Sequence, residues 1–97
     1  MHVGMCKLRL RLPENCSLKG KRRVLNSITT RVRNKFNVSI AEVEDQNLWQ
    51  LATLGITIAA NDSRHVNEVL SKVVDFVEGI SGDAELLDYE IEILSAL

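Results

Sequence analysis

Two segments of this chain change polarity at almost every position. Over 85–94, Leu87, Tyr89, Ile91 and Ile93 alternate with Asp88, Glu90 and Glu92. Over 2–12, Cys6, Leu8, Leu10 and Leu12 share one parity, while Lys7, Arg9 and Arg11 share the other. A period of two marks a strand with one buried face and one solvated face. Any sheet containing both strands must therefore be covered on one side and open on the other, and the rest of the sequence has to supply the cover.

Two stretches do so. Ser17 is a suitable N-cap for a helix running to about Lys35, with Val24, Leu25, Ile28 and Val32 as its apolar stripe. Pro13-Glu14-Asn15 ends the strand before it, and Asn37 is a candidate left-handed stop after it. Asn61 or Asp62 caps a second helix whose stripe is Val66, Val69, Leu70, Val73 and Val77, and Gly79 and Gly82 bracket its exit. Val38 to Glu44 and Leu51 to Ala60 read as strands, joined through the turn chemistry of Asp45-Gln46-Asn47. The order is β-α-β-β-α-β. One antiparallel sheet with both helices on one face buries every stripe. The expected fold is thus α+β, ferredoxin-like, with residues 1–97 as a single domain. In that topology Lys7, Arg9 and Arg11 lie beside Asp88, Glu90 and Glu92 on the open face, neutralised within the sheet.

The charge is split by position. Residues 1–35 hold ten cations and one carboxylate, a formal +9; residues 36–97 hold two cations and twelve carboxylates, a formal −10. With the basic strand neutralised, the first helix is left as the unpaired cationic element. Lys19, Lys21, Arg22 and Arg23 crowd its first turns, where the helix dipole already disfavours cations. Gly20 adds about 1 kcal/mol of helix penalty relative to alanine. A docked anion would relieve the repulsion and meet free backbone N–H groups as well. Arg31, Arg33 and Lys35 extend the cations to the far end, where they also suit the dipole. The two clusters span about 24 Å of helix, a length that could follow several phosphates. The competing reading is a solvated helix face.

The expected partner is structured RNA or a ribosomal particle, bound through backbone phosphate and shape. Stacking readout on the central strands is not expected, since their open faces carry no Phe, Tyr or Trp. A second reading uses that open face, where Thr53, Thr57 and Ala59 make a flat patch of small residues suited to a two-fold homodimer. Trp49 is either a partner-contact anchor or, more in keeping with the area a Trp buries, a cap on the core. A third reading is a small-anion or nucleotide sensor at the first helix's N-terminus. No catalytic constellation, metal-ligand spacing or cofactor motif is found. Cys6 reads as buried and Cys16 as a loop residue, and no apolar run is long enough to span a bilayer. These features predict a non-enzymatic cytoplasmic protein. The stretch Pro13 to Lys19 also lacks the glycine pattern with which acylphosphatases cradle phosphate.

Several segments together resemble the bacterial YlxP-like family: Ser17-Leu18-Lys19, Lys21-Arg22-Arg23-Val24-Leu25, Arg33 to Ser39, Ala41 to Gln46, Leu48-Trp49-Gln50, Asn61-Asp62 and Val69 to Asp75. The resemblance implies a small ferredoxin-like protein with no assigned activity. It also implies genes lying beside those for a translation initiation factor and ribosome-binding factor A, hence a role near ribosome maturation or translation initiation. Gly20 departs from that pattern, in which a polar or charged helix former is usual.

Overall fold

The computed structural model describes all of residues 1–97. Six elements follow in the expected order: β1 His2–Arg11, α1 Leu18–Lys35, β2 Ser39–Glu44, β3 Leu51–Ala60, α2 Ser63–Ile80 and β4 Glu85–Ser95. They build one antiparallel sheet in the order β2-β3-β1-β4. The alternation in β1 and β4 places Cys6 opposite Ile91 and Leu8 opposite Tyr89, with Lys7 opposite Glu90 and Arg9 opposite Asp88. Cys6, Leu8 and Leu10 point into a core of 17 buried residues, with Leu54 and Ile56 from β3 beside them. Val66, Leu70, Val73 and Val77 of α2 close that core from the helix side, and Leu25, Ile28 and Val32 of α1 extend it. At the far end of the helix layer, Phe36 meets Phe76 edge to face, with ring centroids 5.6 Å apart.

The caps follow local chemistry. Ser17 Oγ accepts the Gly20 amide, and Asp62 Oδ1 accepts the Arg64 amide. α2 passes through Ser81 into Gly82, whose φ of 63° lies in the left-handed region that glycine tolerates. α1 ends differently from the expectation. Phe36 leaves the helix in an extended conformation, and Asn37 does not adopt a positive φ. The chain turns directly into β2 because Phe36 docks on Phe76, so no left-handed residue is required.

The open face pairs two of the three cations of β1, with two departures from the expected arrangement. Arg9 pairs with Asp88 at 2.8 Å and with Glu90 at 3.6 Å. Lys7 instead reaches across β3 to Glu44. Its neighbour on β3 is Gly55, which has no side chain to block that reach. Arg11 stands opposite Glu85 but forms no ion pair with it.

Candidate nucleic-acid interface

α1 carries seven cations and no carboxylate. At 3.6 residues per turn, Lys19, Arg23, Ser27, Thr30 and Asn34 form its outward ridge, and all five are exposed. Arg22 and Arg33 flank that ridge on one side, Arg31 on the other. Lys19, Arg22, Arg23 and Arg31 have no carboxylate within ion-pair range. At the N-terminus, the Leu18 and Lys19 amides have no intramolecular acceptor. The ridge thus offers cations at its N-terminal end and short hydroxyl and amide side chains beyond them, with Arg31 and Arg33 flanking its far end. Such a surface allows close approach by a phosphate backbone.

The remaining cations are used internally. Arg33 donates to the Ile40 carbonyl at 2.8 Å, and the Lys35 ammonium lies 4.9 Å from the centre of the Phe76 ring. Both remain exposed, so they belong to the positive surface while helping to seat the end of α1.

Lys21 corrects the sequence reading. It is 1% exposed and cannot be a phosphate contact. Its Nζ donates to the Asp45 carbonyl at 2.6 Å and the Leu48 carbonyl at 2.7 Å, and stands 2.7 Å from Glu42 Oε2. Those are three partners for an ammonium with three protons. Glu42 Oε2 is itself buried and has no aligned hydrogen-bond donor, so its charge is met by this ion pair alone. A buried charge persists only when it is paired and solvated by protein dipoles, as here. The effect is to clamp the loop between β2 and β3 onto α1.

That loop is tied down further. Asp45 turns it with a φ of 64°, and its Oδ2 accepts the Thr53 hydroxyl at 2.9 Å. Asn15 Nδ2 donates to both the Ser17 and the Trp49 carbonyls. Gln50 Nε2 reaches the Asn15 carbonyl at 3.2 Å, and the Leu12 amide donates to the Gln50 carbonyl at 2.8 Å. Asn15 explains Gly20 as well: a Cβ at that position would collide with Asn15 Oδ1. Glycine makes room for the bridge between the two loops.

The residues assigned to the open-face patch separate. Thr57 and Ala59 are exposed, as that reading needs. Thr53 is fully buried and spends its hydroxyl on Asp45, so it is no part of an exposed interface. Trp49 does not cap the core; it is 54% exposed, beside exposed Leu48 and Leu51. Sequence reasoning missed the clamp, although a signal existed: Lys21 precedes Leu25, Ile28 and Val32 at helical spacing, on the buried stripe itself.

No group of three or more His, Cys, Asp or Glu side chains is placed to hold a metal ion. Burial pushes the Cys6 thiol up to about 11, and Cys16 is exposed; both are free thiols. No helix is long and apolar enough to cross a membrane.

The strand order, the antiparallel pairing and the one-sided helix layer define a ferredoxin-like α+β protein. More particularly, the chain belongs to the family described as "Protein of unknown function (DUF503)", which it matches over residues 3–91. It is 37% identical over 76 residues to the "Uncharacterized protein YlxP" of Bacillus subtilis (strain 168), covering 78% of this chain and 83% of that protein. Among solved structures, the de novo designed protein Foldit4 superposes with a TM-score of 0.54 at 13% identity, over 100% of both chains. LarC2, the C-terminal domain of a cyclometallase, does so with 0.52 at 10% identity, over 97% of this chain and 55% of that one. At such identities the likeness concerns the fold alone.

Proposed function

We propose that this protein is a non-enzymatic module that docks on the phosphate backbone of structured RNA, in a ribosomal particle or free, through the outward face of α1. One observation carries the reading: Lys19, Arg22, Arg23 and Arg31 are exposed and unpaired on a helix with no carboxylate, while the basic strand has internal partners for Lys7 and Arg9. Phosphate contact is the chemistry that uses such a face, with Arg33 and Lys35 at its rim. The genomic setting that the family resemblance implies, beside genes for translation initiation and ribosome maturation, agrees with this reading. A reducing cytoplasmic setting agrees with two free thiols. The test is binding to purified ribosomal subunits and ribosomal RNA across a salt series. Each phosphate contact should contribute a slope of about −0.7 to −0.9 in log affinity against log salt. Arg22→Glu with Arg23→Glu should abolish binding while the fold persists; unchanged affinity in that variant would overturn the reading.

A second reading, a homodimer through the open sheet face, draws on a different observation. Exposed Met5, Val43 and Leu94 share that face with Thr57 and Ala59, and Lys7 and Arg9 there already have partners. Burying the face would strand neither cation. Sedimentation across a concentration series, in wild type and in Thr57→Lys, decides it: a dimer that the lysine dissociates supports the reading, and a monomer throughout removes it.

A further inference from the structure

We propose that Trp49 is a stacking platform for an unpaired nucleobase of the RNA whose phosphates α1 holds. This deepens the RNA reading and rests on it: the ligand becomes RNA with an accessible base, such as a loop, a bulge or a single strand, and not duplex backbone alone.

Three observations converge. The first is presentation. An indole gains most by burial, yet this one is half exposed on a loop that is held from several directions. The Lys21 ammonium grips the carbonyl immediately before Trp49, and Asn15 grips the carbonyl of Trp49 itself. Gln50 is held through its backbone carbonyl by Leu12. The loop is therefore ordered before any partner arrives, which lowers the entropic cost of using the ring.

The second is position. One Asn15 nitrogen bonds both the Trp49 and the Ser17 carbonyls, so those two oxygens lie within about 5 Å of each other. Ser17 is the N-cap of α1. The backbone of Trp49 is thereby tethered beside the end of the helix that carries Lys19, Arg22 and Arg23 and two free backbone amides.

The third is the character of the surroundings. Trp49 lines an open depression with Arg11, Asn47, Leu48, Gln50 and Leu51. Its only charged member is Arg11, a cation without a carboxylate partner. Asn47 and Gln50 supply amides of the kind that meet base edges, and Leu48 offers apolar contact beside the ring. Aromatic faces flanked by cations are how single-stranded nucleic acid is held, because every base has a stacking face while the backbone needs positive charge.

Trp49 is the only tryptophan, so emission excited selectively at tryptophan, beyond the absorption of Tyr89, reports on this site alone. The experiment titrates an oligo(A) single strand and a blunt RNA duplex of equal phosphate number into wild type, Trp49→Ala, Trp49→Phe and the Arg22→Glu/Arg23→Glu variant. Stacking should quench wild-type emission with the single strand. Trp49→Ala should lose roughly ten- to a hundredfold in single-strand affinity, the effect of removing one base stack, with duplex affinity unchanged. Trp49→Phe should restore most of the loss. If Trp49→Ala binds the single strand as wild type does while the charge-reversed variant does not, stacking is overturned and phosphate docking stands. If neither variant loses affinity, both readings fail. If intact ribosomal subunits, but neither RNA, move the emission, and Trp49→Ala loses that binding, the occupant is a protein and the proposal is overturned.

Discussion

Replacing Lys21 by methionine keeps most of the side chain's volume and removes its charge. The cost can be worked from its three partners. Breaking a buried ion pair by deleting one member typically costs about 3–5 kcal/mol, because the other charge is left stranded. The Glu42 side chain retains 23% exposure, so its carboxylate recovers some water and the lower end applies. The Asp45 carbonyl keeps the Leu48 amide as a donor. The Leu48 carbonyl loses Lys21, adding about 1 kcal/mol for an unmet acceptor. The sum is roughly 3–4 kcal/mol, a large part of the 5–15 kcal/mol that holds a domain of this size. It corresponds to a fall in Tm of about 15 °C. Urea unfolding followed by far-ultraviolet circular dichroism and by Trp49 emission measures it. The double variant Lys21→Met/Glu42→Leu strands no charge and should regain about 1–3 kcal/mol over the single one. A loss below about 1 kcal/mol for Lys21→Met, the value of a solvated surface pair, would refute the argument that this lysine is a structural clamp.

Other consequences are open to test. Gly20→Ala, which would ordinarily add about 1 kcal/mol to a helix, should destabilise wild type, yet stabilise an Asn15→Ala background where the collision is gone; a double-mutant cycle by urea unfolding reads the sign change. Gly82→Ala should cost about 1–2 kcal/mol, because its φ is left-handed and alanine resists that region. Cys6, raised from 9.0 to about 11 by burial, keeps its proton in the fold after the unfolded thiol has lost its own. Stability should therefore fall as pH rises from about 9 to about 11, and Cys6→Val should flatten that fall. Native protein should accept a thiol reagent at Cys16 alone, and unfolded protein at both cysteines.

The sequence displays this fold unusually well where periodicity is unmixed. Strand β1 is legible because it has one wet face, so parity survives in the residue order; in β4 a bulge sets Leu86, not Leu87, opposite Leu10, and Leu87 and Tyr89 are exposed, contrary to the alternation. Helix α2 is legible because its stripe is wholly apolar. Legibility fails where one residue belongs to two patterns. Lys21 sits in a run of cations and also on the buried stripe of α1, and composition favours the first pattern while spacing favours the second. Its burial depends on Glu42 and on two carbonyls of the β2–β3 loop, none of which local sequence can place. Thr53 has the parity of the open face, but the turn at Asp45 brings a carboxylate over it. Trp49 reverses the usual tendency because its loop folds onto the β1–α1 connection instead of across the core. The charge split predicted unpaired cations on α1, and Lys19, Arg22, Arg23 and Arg31 are exposed there without a carboxylate partner, as are Arg11, Arg64 and Lys72 elsewhere in the fold; which cations of α1 face outward is a matter of helical phase.

The pairing of β1 with β4 also bears on how the molecule is assembled in time. Hydrogen bonding joins His2 to Ser95, 93 residues away along the chain. The central strand therefore lacks one of its two neighbours until Glu85–Ser95 have been made. Contacts of such long range make folding slow relative to helical proteins. On a ribosome adding about 5–20 residues each second, α1 exists as a cationic segment well before β4 can complete the sheet. The nascent chain should consequently pass through a stage with one edge of β1 unpaired. During that stage its commonest hazard is pairing with another strand, and in the finished fold the row of carboxylates on β4 guards the edge that replaces it.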